Sequence, residues 1–154
     1  MAGRSRQQAI ADVGTAMQRY QRSVQAFDDA VGRRLGVGPA DQRCLDWLSE
    51  GPLTAKELAT ATGLRPAATT ALIDRLEAKG LVRRAPSPDD RRRVLVELTE
   101  YGRDRVWEAY GPMVAEGQRL FGGHSVAQLD ALTDLLERMT ALTETHRDRV
   151  VDTD

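Results

Sequence analysis

The chain has 154 residues, of which 41% are hydrophobic and 29% are charged. This length fits one domain with a core of its own, and the composition is typical of a globular protein rather than a disordered or fibrous one. No apolar run approaches the roughly 18 residues that a membrane-spanning helix needs. The polar amino terminus is not followed by the apolar stretch of a secretory signal. We therefore expect a cytoplasmic protein.

Residues with metal-binding or catalytic chemistry are few. Cys44 is the single cysteine, and the two histidines, His124 and His146, belong to no recognisable catalytic or zinc-binding string. We expect no metal, no cofactor and no enzymatic activity. Cys44 adjoins an apolar helical stripe, which favours an inert buried thiol over an oxidation sensor.

Charge is distributed unevenly along the sequence. The whole chain has a net charge of -1, but residues 65–93 carry eight basic and four acidic side chains, so this window is +4 and the remainder is -5. A basic strip on an acidic body would attract a phosphate backbone to one face. The alternative is a solvated charged surface. The basic residues are Arg65, Arg75, Lys79, Arg83, Arg84, Arg91, Arg92 and Arg93.

The first two segments are predicted to be helices. Apolar residues of the first segment recur at alternating intervals of three and four, which predicts a long helix with a narrow apolar seam, ended by the glycines between 32 and 38. A short helix follows over 39–50. Tyr20, Trp47 and Arg43 could line a ligand cleft. An aromatic residue on a helical stripe is more often part of the core, so we expect Tyr20 and Trp47 to be core residues. The first seam consists of Ile10, Val13, Met17, Tyr20, Val24, Phe27 and Val31.

The next two helices are joined by a very short turn. Thr54 and Glu57 form a capping box that begins the third helix, and Gly63 ends it. Arg65 and Pro66 begin a fourth helix almost at once, because proline is tolerated in the first turn. Two helices so closely connected cross steeply, as in a helix-turn-helix whose second helix projects outward. The inner face of that helix is predicted to contain Leu72, Ile73 and Leu76.

A change of period after the fourth helix predicts a hairpin. Strands are expected over 81–85 and 94–98, with a charged polar turn over 86–92. A long helix then follows over 100–121, capped by Thr99 and bent near Pro112.

The final helix begins at a second capping box, formed by Ser125 and Gln128, and ends near Val150. It carries an apolar seam of its own. That seam consists of Leu129, Leu132, Leu135, Leu136, Met139 and Leu142.

Three strings in this order resemble the MarR family of bacterial transcriptional regulators. They lie at 51–59, at 74–82 and at 90–102, where Asp90, Arg91 and Arg92 are similar to the family's wing signature. The resemblance implies a mainly α fold with a small β-wing, in which a winged helix-turn-helix is flanked by long N- and C-terminal dimerisation helices. It implies one MarR-like domain over 1–154. The winged helix would occupy 38–99, and the dimerisation helices 5–35 and 100–150.

The seams of the first and last helices are too long for the middle of the domain to cover alone, which predicts a homodimer. The family resemblance also implies a homodimer, and one that binds double-stranded DNA. Such regulators, most often repressors, place the fourth helix in the major groove of a palindromic operator and the wing in the minor groove, and many respond to a small-molecule effector. The outward positions of this helix are predicted to be Arg65, Pro66, Ala67, Thr70 and Ala71, with Ala68 beside them.

These outward residues differ in what they can contact. Arg65 and Thr70 can hydrogen-bond bases or phosphates, whereas alanines offer only apolar contact, for instance with a thymine methyl. Relatives often carry a longer polar residue at the position of Ala71 and an apolar one at that of Thr69. We expect Thr69 to be partly buried.

The hairpin tip supplies the second set of candidates. Arg91 and Arg92 have little local counter-charge and could enter a narrow minor groove. The resemblance implies that Asp90 braces one arginine and that Arg92 inserts. Arg75 is predicted either to bind a phosphate or to pair with an acidic or wing residue, the local acids being Asp74 and Glu77.

Two alternatives to a DNA-binding regulator can be stated. A winged-helix module that binds protein, with weak or no specific DNA binding, fits the alanine-rich fourth helix and the acidic total. An enzyme is disfavoured because no nucleophile with a base and no paired carboxylates are evident. The sequence does not define the operator, the regulated genes or the effector, nor whether binding represses or activates.

Overall fold

A computed structural model describes residues 5–151, and within them the chain forms six helices and three short strands. This architecture confirms the predicted fold class, mainly α with a small β-wing. The elements in chain order are α1 (Arg6–Leu35), α2 (Pro39–Glu50), β1 (Leu53–Thr54), α3 (Ala55–Thr62), α4 (Pro66–Ala78), β2 (Val82–Pro86), β3 (Val94–Leu98), α5 (Glu100–Phe121) and α6 (Val126–Val151).

The described residues divide into two compact units, one that ends at Ala109 and one that begins at Tyr110, so the boundary lies inside α5. The first unit contains the helix-turn-helix, the sheet and the first half of α5. The second contains the rest of α5 and α6. Within the described residues, no helix is long and apolar enough to cross a membrane.

The hydrophobic core of the first unit lies between α2, α3, α4 and the sheet. Burying these aliphatic side chains is the main force that holds the helix-turn-helix together. Cys44 is fully buried among them, which agrees with the prediction of a buried thiol. The core cluster comprises Cys44, Leu45, Leu48, Leu58, Leu72, Ile73, Leu76, Leu81, Val82, Val96 and Leu98.

The sheet has three antiparallel strands in the order β1-β3-β2, where two were predicted. Val82 pairs with Leu98 and Pro86 with Val94, which sets the register of the wing. The additional strand, β1, pairs Leu53 with Val96. The prediction was wrong here because two residues are too short for the alternation that indicates a strand.

The predicted helix ends are largely confirmed. Thr54 and Glu57 form the reciprocal capping bonds of α3, and Ser125 and Gln128 form those that begin α6. The first helix passes through Gly32 and ends at Leu35. The fifth continues unbroken through Pro112.

The prediction of Tyr20 and Trp47 as core residues is wrong for the single chain. Tyr20 is 71% exposed and Trp47 is 40% exposed. The helical period predicts which residues share one apolar face of a helix. It does not predict whether other elements of the same chain bury that face. Several other apolar residues of α1 and α6 are also exposed: Ile10, Val13, Leu132, Leu135, Leu136 and Leu142.

Candidate nucleic-acid interface

The turn between α3 and α4 is short because both helix ends are defined locally. Gly63 has φ 70°, a left-handed conformation that glycine adopts without strain, and its N–H donates to Thr60 O. Leu64 N–H donates to Ala59 O at 3.1 Å, which closes the last turn of α3. Pro66 then opens α4. These residues form the predicted helix-turn-helix.

One face of α4 is buried against the core. It consists of Thr69, Leu72, Ile73 and Leu76. Thr69 is more deeply buried than predicted, with 1% of its surface exposed, and its hydroxyl donates to Arg65 O at 3.2 Å. Without this hydrogen bond, burial of the hydroxyl in the core would cost free energy.

The opposite face of α4 begins with small, exposed side chains. All the positions predicted to face outward are exposed: Arg65, Pro66, Ala67, Ala68, Thr70 and Ala71. Thr70 Oγ1 donates to Pro66 O at 3.1 Å. The first two turns of α4 therefore present methyl groups, one hydroxyl oxygen and the guanidinium of Arg65.

Arg75 pairs with a partner that the sequence did not indicate. Its Nη2 lies 2.8 Å from Oδ1 of Asp41, whose side chain is 8% exposed. The other oxygen of Asp41 accepts from the N–H of Gly38 at the start of α2. The predicted ion-pair partners, Asp74 and Glu77, were wrong, because both face the wing. Arg75 nevertheless keeps 55% of its side chain exposed.

Arg84 connects the wing to α4. Its Nη2 lies 2.6 Å from Oδ1 of Asp74, its Nη1 donates to Glu77, and its backbone N–H donates to the same glutamate. The two carboxylates raise the pKa of Arg84 above its ordinary value, chiefly through the hydrogen bond to Asp74. Strand β2 is thus attached to the last two turns of α4.

Arg93 connects the base of the wing to α3. Its Nη2 donates to Oε1 of Glu57 at 3.0 Å. The other oxygen of Glu57 accepts from the N–H and the hydroxyl of Thr54 at 2.7 and 2.8 Å. Hydrogen bonds from the Thr54 backbone and hydroxyl, with Arg93 adding its charge, lower the pKa of Glu57.

The wing tip is organised by hydrogen bonds to its own backbone. Ser87 N–H donates to Arg93 O at 2.8 Å, and Arg93 N–H donates to Asp90 O at 2.9 Å. Asp90 Oδ1 accepts from the backbone N–H of Arg92 at 2.9 Å. Asp90 therefore holds the main chain of Arg92, the arginine that the resemblance implied would insert.

Three arginines near this surface have uncommitted side chains. Within residues 5–151, no hydrogen bond or ion pair involves the guanidinium groups of Arg65, Arg91 or Arg92, and all three are exposed. Arg83, by contrast, pairs with Glu97 across the wing at 2.6 Å. These three guanidinium groups lie at the start of α4 and at the wing tip.

Sequence reasoning missed the residues that support this surface. Asp41, Arg84 and Arg93 received no role, although Arg84 and Arg93 were counted in the basic window. For Glu57, the capping box predicted its role at the start of α3. It did not predict the hydrogen bond from Arg93, which is 36 residues later in the chain.

A helix-turn-helix followed by an antiparallel wing defines the winged helix-turn-helix class. The model of the MarR family matches residues 35–93 of this chain. The HTH-type transcriptional regulator YcgE of Bacillus subtilis is 31% identical over 125 residues, which cover 80% of this chain and 81% of that protein. The chain belongs to the MarR family, a family of transcriptional regulators rather than enzymes.

Two further similarities extend over most of the chain. The HTH-type transcriptional repressor MdtR of Bacillus subtilis is 28% identical over 137 residues, covering 82% of this chain and 88% of the repressor. The crystal structure of CouR from Rhodococcus jostii RHA1, bound to p-coumaroyl-CoA, superposes with a TM-score of 0.59 at 27% identity. That match covers 83% of this chain and 91% of CouR.

Proposed function

We propose that this protein is a dimeric, sequence-specific DNA-binding repressor of transcription. The uncommitted guanidinium groups of Arg65, Arg91 and Arg92 carry the proposal. Nearby arginines are engaged by carboxylates, so these three hold the positive charge that a phosphate backbone can neutralise.

In this proposal, α4 enters the major groove, which is wide enough for a helix. Its contacts come from Arg65, Pro66, Ala67, Thr70 and Ala71. Arg75 lies further along the helix, where Asp41 fixes one side of its guanidinium. The exposed remainder of that group then has N–H donors for a phosphate.

The wing is proposed to enter the adjacent minor groove. Arg91 and Arg92 lie at the tip, where Asp90 accepts a hydrogen bond from the backbone N–H of Arg92. A narrow minor groove concentrates negative potential and attracts arginine. The ion pairs of Arg84 and Arg93 keep the wing in a fixed relation to α4 and α3.

Dimerisation is proposed through the helices outside 38–99. The seams of α1 and α6 expose leucine, isoleucine and valine side chains, and such surfaces in water favour association with a second copy. A two-fold dimer presents two copies of α4 to major grooves one helical turn apart. This predicts a palindromic operator with half-sites about 10 bp between centres.

The proposal also includes repression of transcription and control by a small-molecule effector. MdtR, named as a repressor, is similar over 82% of this chain. CouR was solved with p-coumaroyl-CoA bound, which supports a small-molecule effector for this regulator as well. Such a ligand would shift the equilibrium between forms that bind and do not bind the operator.

The competing function is a winged-helix module that binds protein, favoured by the alanine-rich face of α4. Salt dependence separates the two. A dimer that neutralises about six phosphates with its six uncommitted arginines should lose about a thousandfold in affinity for selected duplex DNA between 50 and 200 mM salt. An affinity that stays nearly constant over this range, or that is equal for selected and random duplexes, would contradict sequence-specific DNA binding.

A further inference from the structure

The outward face of α4 contains few groups that could donate a hydrogen bond to a base. Three ionised side chains lie between Pro66 and Ala78, and each is already paired outside the helix. Arg75 pairs with Asp41, while Asp74 and Glu77 both bind Arg84. The charged groups of the helix body are thus committed to the fold.

What remains exposed on the first two turns is mostly hydrocarbon. Ala67 and Ala71 expose methyl groups, and Thr70 lies between them on the same side of the helix. The hydroxyl proton of Thr70 is donated to Pro66 O, so this side chain offers outward a methyl group and an acceptor oxygen. Arg65, at the N-cap, adds a guanidinium group at the start of the helix.

In the major groove, guanine presents only acceptors, which are best bound by donors such as arginine. Thymine presents the one apolar group on a base edge, its 5-methyl. We propose that α4 recognises thymine 5-methyl groups through Ala67, Thr70 and Ala71, so that methyl contact rather than hydrogen bonding sets the base preference under this helix. This inference rests on the proposed function, because it requires that α4 contacts duplex DNA.

Replacing thymine by deoxyuridine tests the inference directly. Deoxyuridine lacks only the 5-methyl group and leaves base pairing and the minor-groove edges unchanged. An operator is first selected from random duplex DNA with the full-length protein, and then rebuilt with deoxyuridine at individual half-site thymines. We expect the affinity to fall about fourfold for each contacted methyl, the effect of exposing one buried carbon.

Restoring the methyl group on a different base provides a second test. At a sensitive position, a 5-methylcytosine·guanine pair should bind more tightly than the unmethylated cytosine·guanine pair, because the apolar contact returns although the hydrogen-bonding edges differ. Equal affinity of these two duplexes would argue against a methyl contact.

Matched variants identify the residues involved. For each position we compare the affinity for the operator with thymine to the affinity for the operator with deoxyuridine. In Ala71→Gly the ratio of these two affinities should approach one at the position that Ala71 contacts. Ala78→Gly, at the exposed far end of the same helix, should keep the full ratio. Because the ratio is measured within each variant, a loss of helix stability affects both duplexes equally.

Two failures are distinguishable. If the protein strongly prefers its selected operator but deoxyuridine changes nothing at any half-site thymine, or no thymine occurs there, recognition of methyl groups is overturned and DNA binding stands. If selection yields no preferred sequence, the proposed function itself fails. An undiminished ratio in Ala71→Gly would remove that residue from the contact.

Discussion

Cys44 illustrates how burial decides the chemistry of a single residue. The thiol is fully buried in the core, and burial, reinforced by the charge of Asp41, raises its pKa to about 12. The thiolate is the reactive form of cysteine. At pH 8 the thiol is therefore protonated, and its burial keeps solvent away from it.

We therefore predict that Cys44 is inert in the folded protein. Iodoacetamide at pH 8 should leave it unmodified over an hour, and label it completely in guanidinium chloride. Ser49→Cys, which adds an exposed thiol on the same helix, should react once per chain under native conditions. Rapid native labelling of the unaltered chain, or a change in DNA affinity after peroxide treatment, would mean that this thiol is accessible.

The arginines mark the limit of prediction for individual residues. Charge counting located the basic segment, and the outward positions of α4 followed from its helical period. The pattern placed Arg84 on a strand and Arg92 in the turn. It did not show that two carboxylates hold Arg84 while the guanidinium of Arg92 stays uncommitted. Their difference arises from the packing of the wing against α4, which no local pattern encodes.

At the scale of elements, the join between the wing and α5 is unusually close. Thr99 N–H donates to Leu81 O at 3.0 Å, and Thr99 Oγ1 caps the helix by accepting from Gly102 N–H at 2.8 Å. A β-carbon at position 102 would lie 2.0 Å from Leu81 O. Only glycine allows the first turn of α5 to approach the start of the wing so closely.

Gly102→Ala is expected to destabilise the protein by about 3 kcal/mol, because the backbone of α5 or of the wing must move to relieve the overlap. Gly14→Ala serves as the control, since nothing lies within 4 Å of a β-carbon there. Within a helix, that change should stabilise the protein by about 0.5 to 1 kcal/mol. Urea unfolding of both variants checks the prediction, and equal stabilities would contradict this account of Gly102.

Element ends were the best predicted feature because their signals are local. Thr54 with Glu57, Gly63, and Ser125 with Gln128 each determine a helix end through bonds within a few residues. The strand β1 was missed because it exists only through its partner. Leu53 is extended and pairs with Val96 on β3, which is 43 residues later in the chain.

At the scale of the whole molecule, apolar surface remains after each unit has folded. Tyr20 and Ile10 on α1 are mostly exposed, as are Leu135 and Leu142 on α6. Helical periodicity predicted these stripes, and the length of the seams predicted a second copy. Periodicity alone did not show that Tyr20 lies outside the chain's own core. Exposed seams of this kind are the physical basis of the proposed dimer.

The dimer should depend on the seam of α6. Leu132→Arg is expected to weaken association by about 2 kcal/mol or more, because it places a charge where the proposed dimer interface would bury a leucine. Glu137→Arg introduces the same residue on the same helix, outside the apolar seam, and should leave association unchanged. Light scattering at micromolar concentration measures both. An unaltered chain that remains monomeric there would contradict the dimer.

The central claim is that the free arginines contact duplex DNA, and Arg92→Ala tests it most directly. Affinity for one selected operator is measured at several salt concentrations, with Arg138→Ala on α6 as the control. We predict that Arg92→Ala lowers the affinity by about 1 to 3 kcal/mol and reduces the salt slope by about two for a dimer, while Arg138→Ala changes neither. Equal affinity and an equal slope for Arg92→Ala and the unaltered protein would contradict the account.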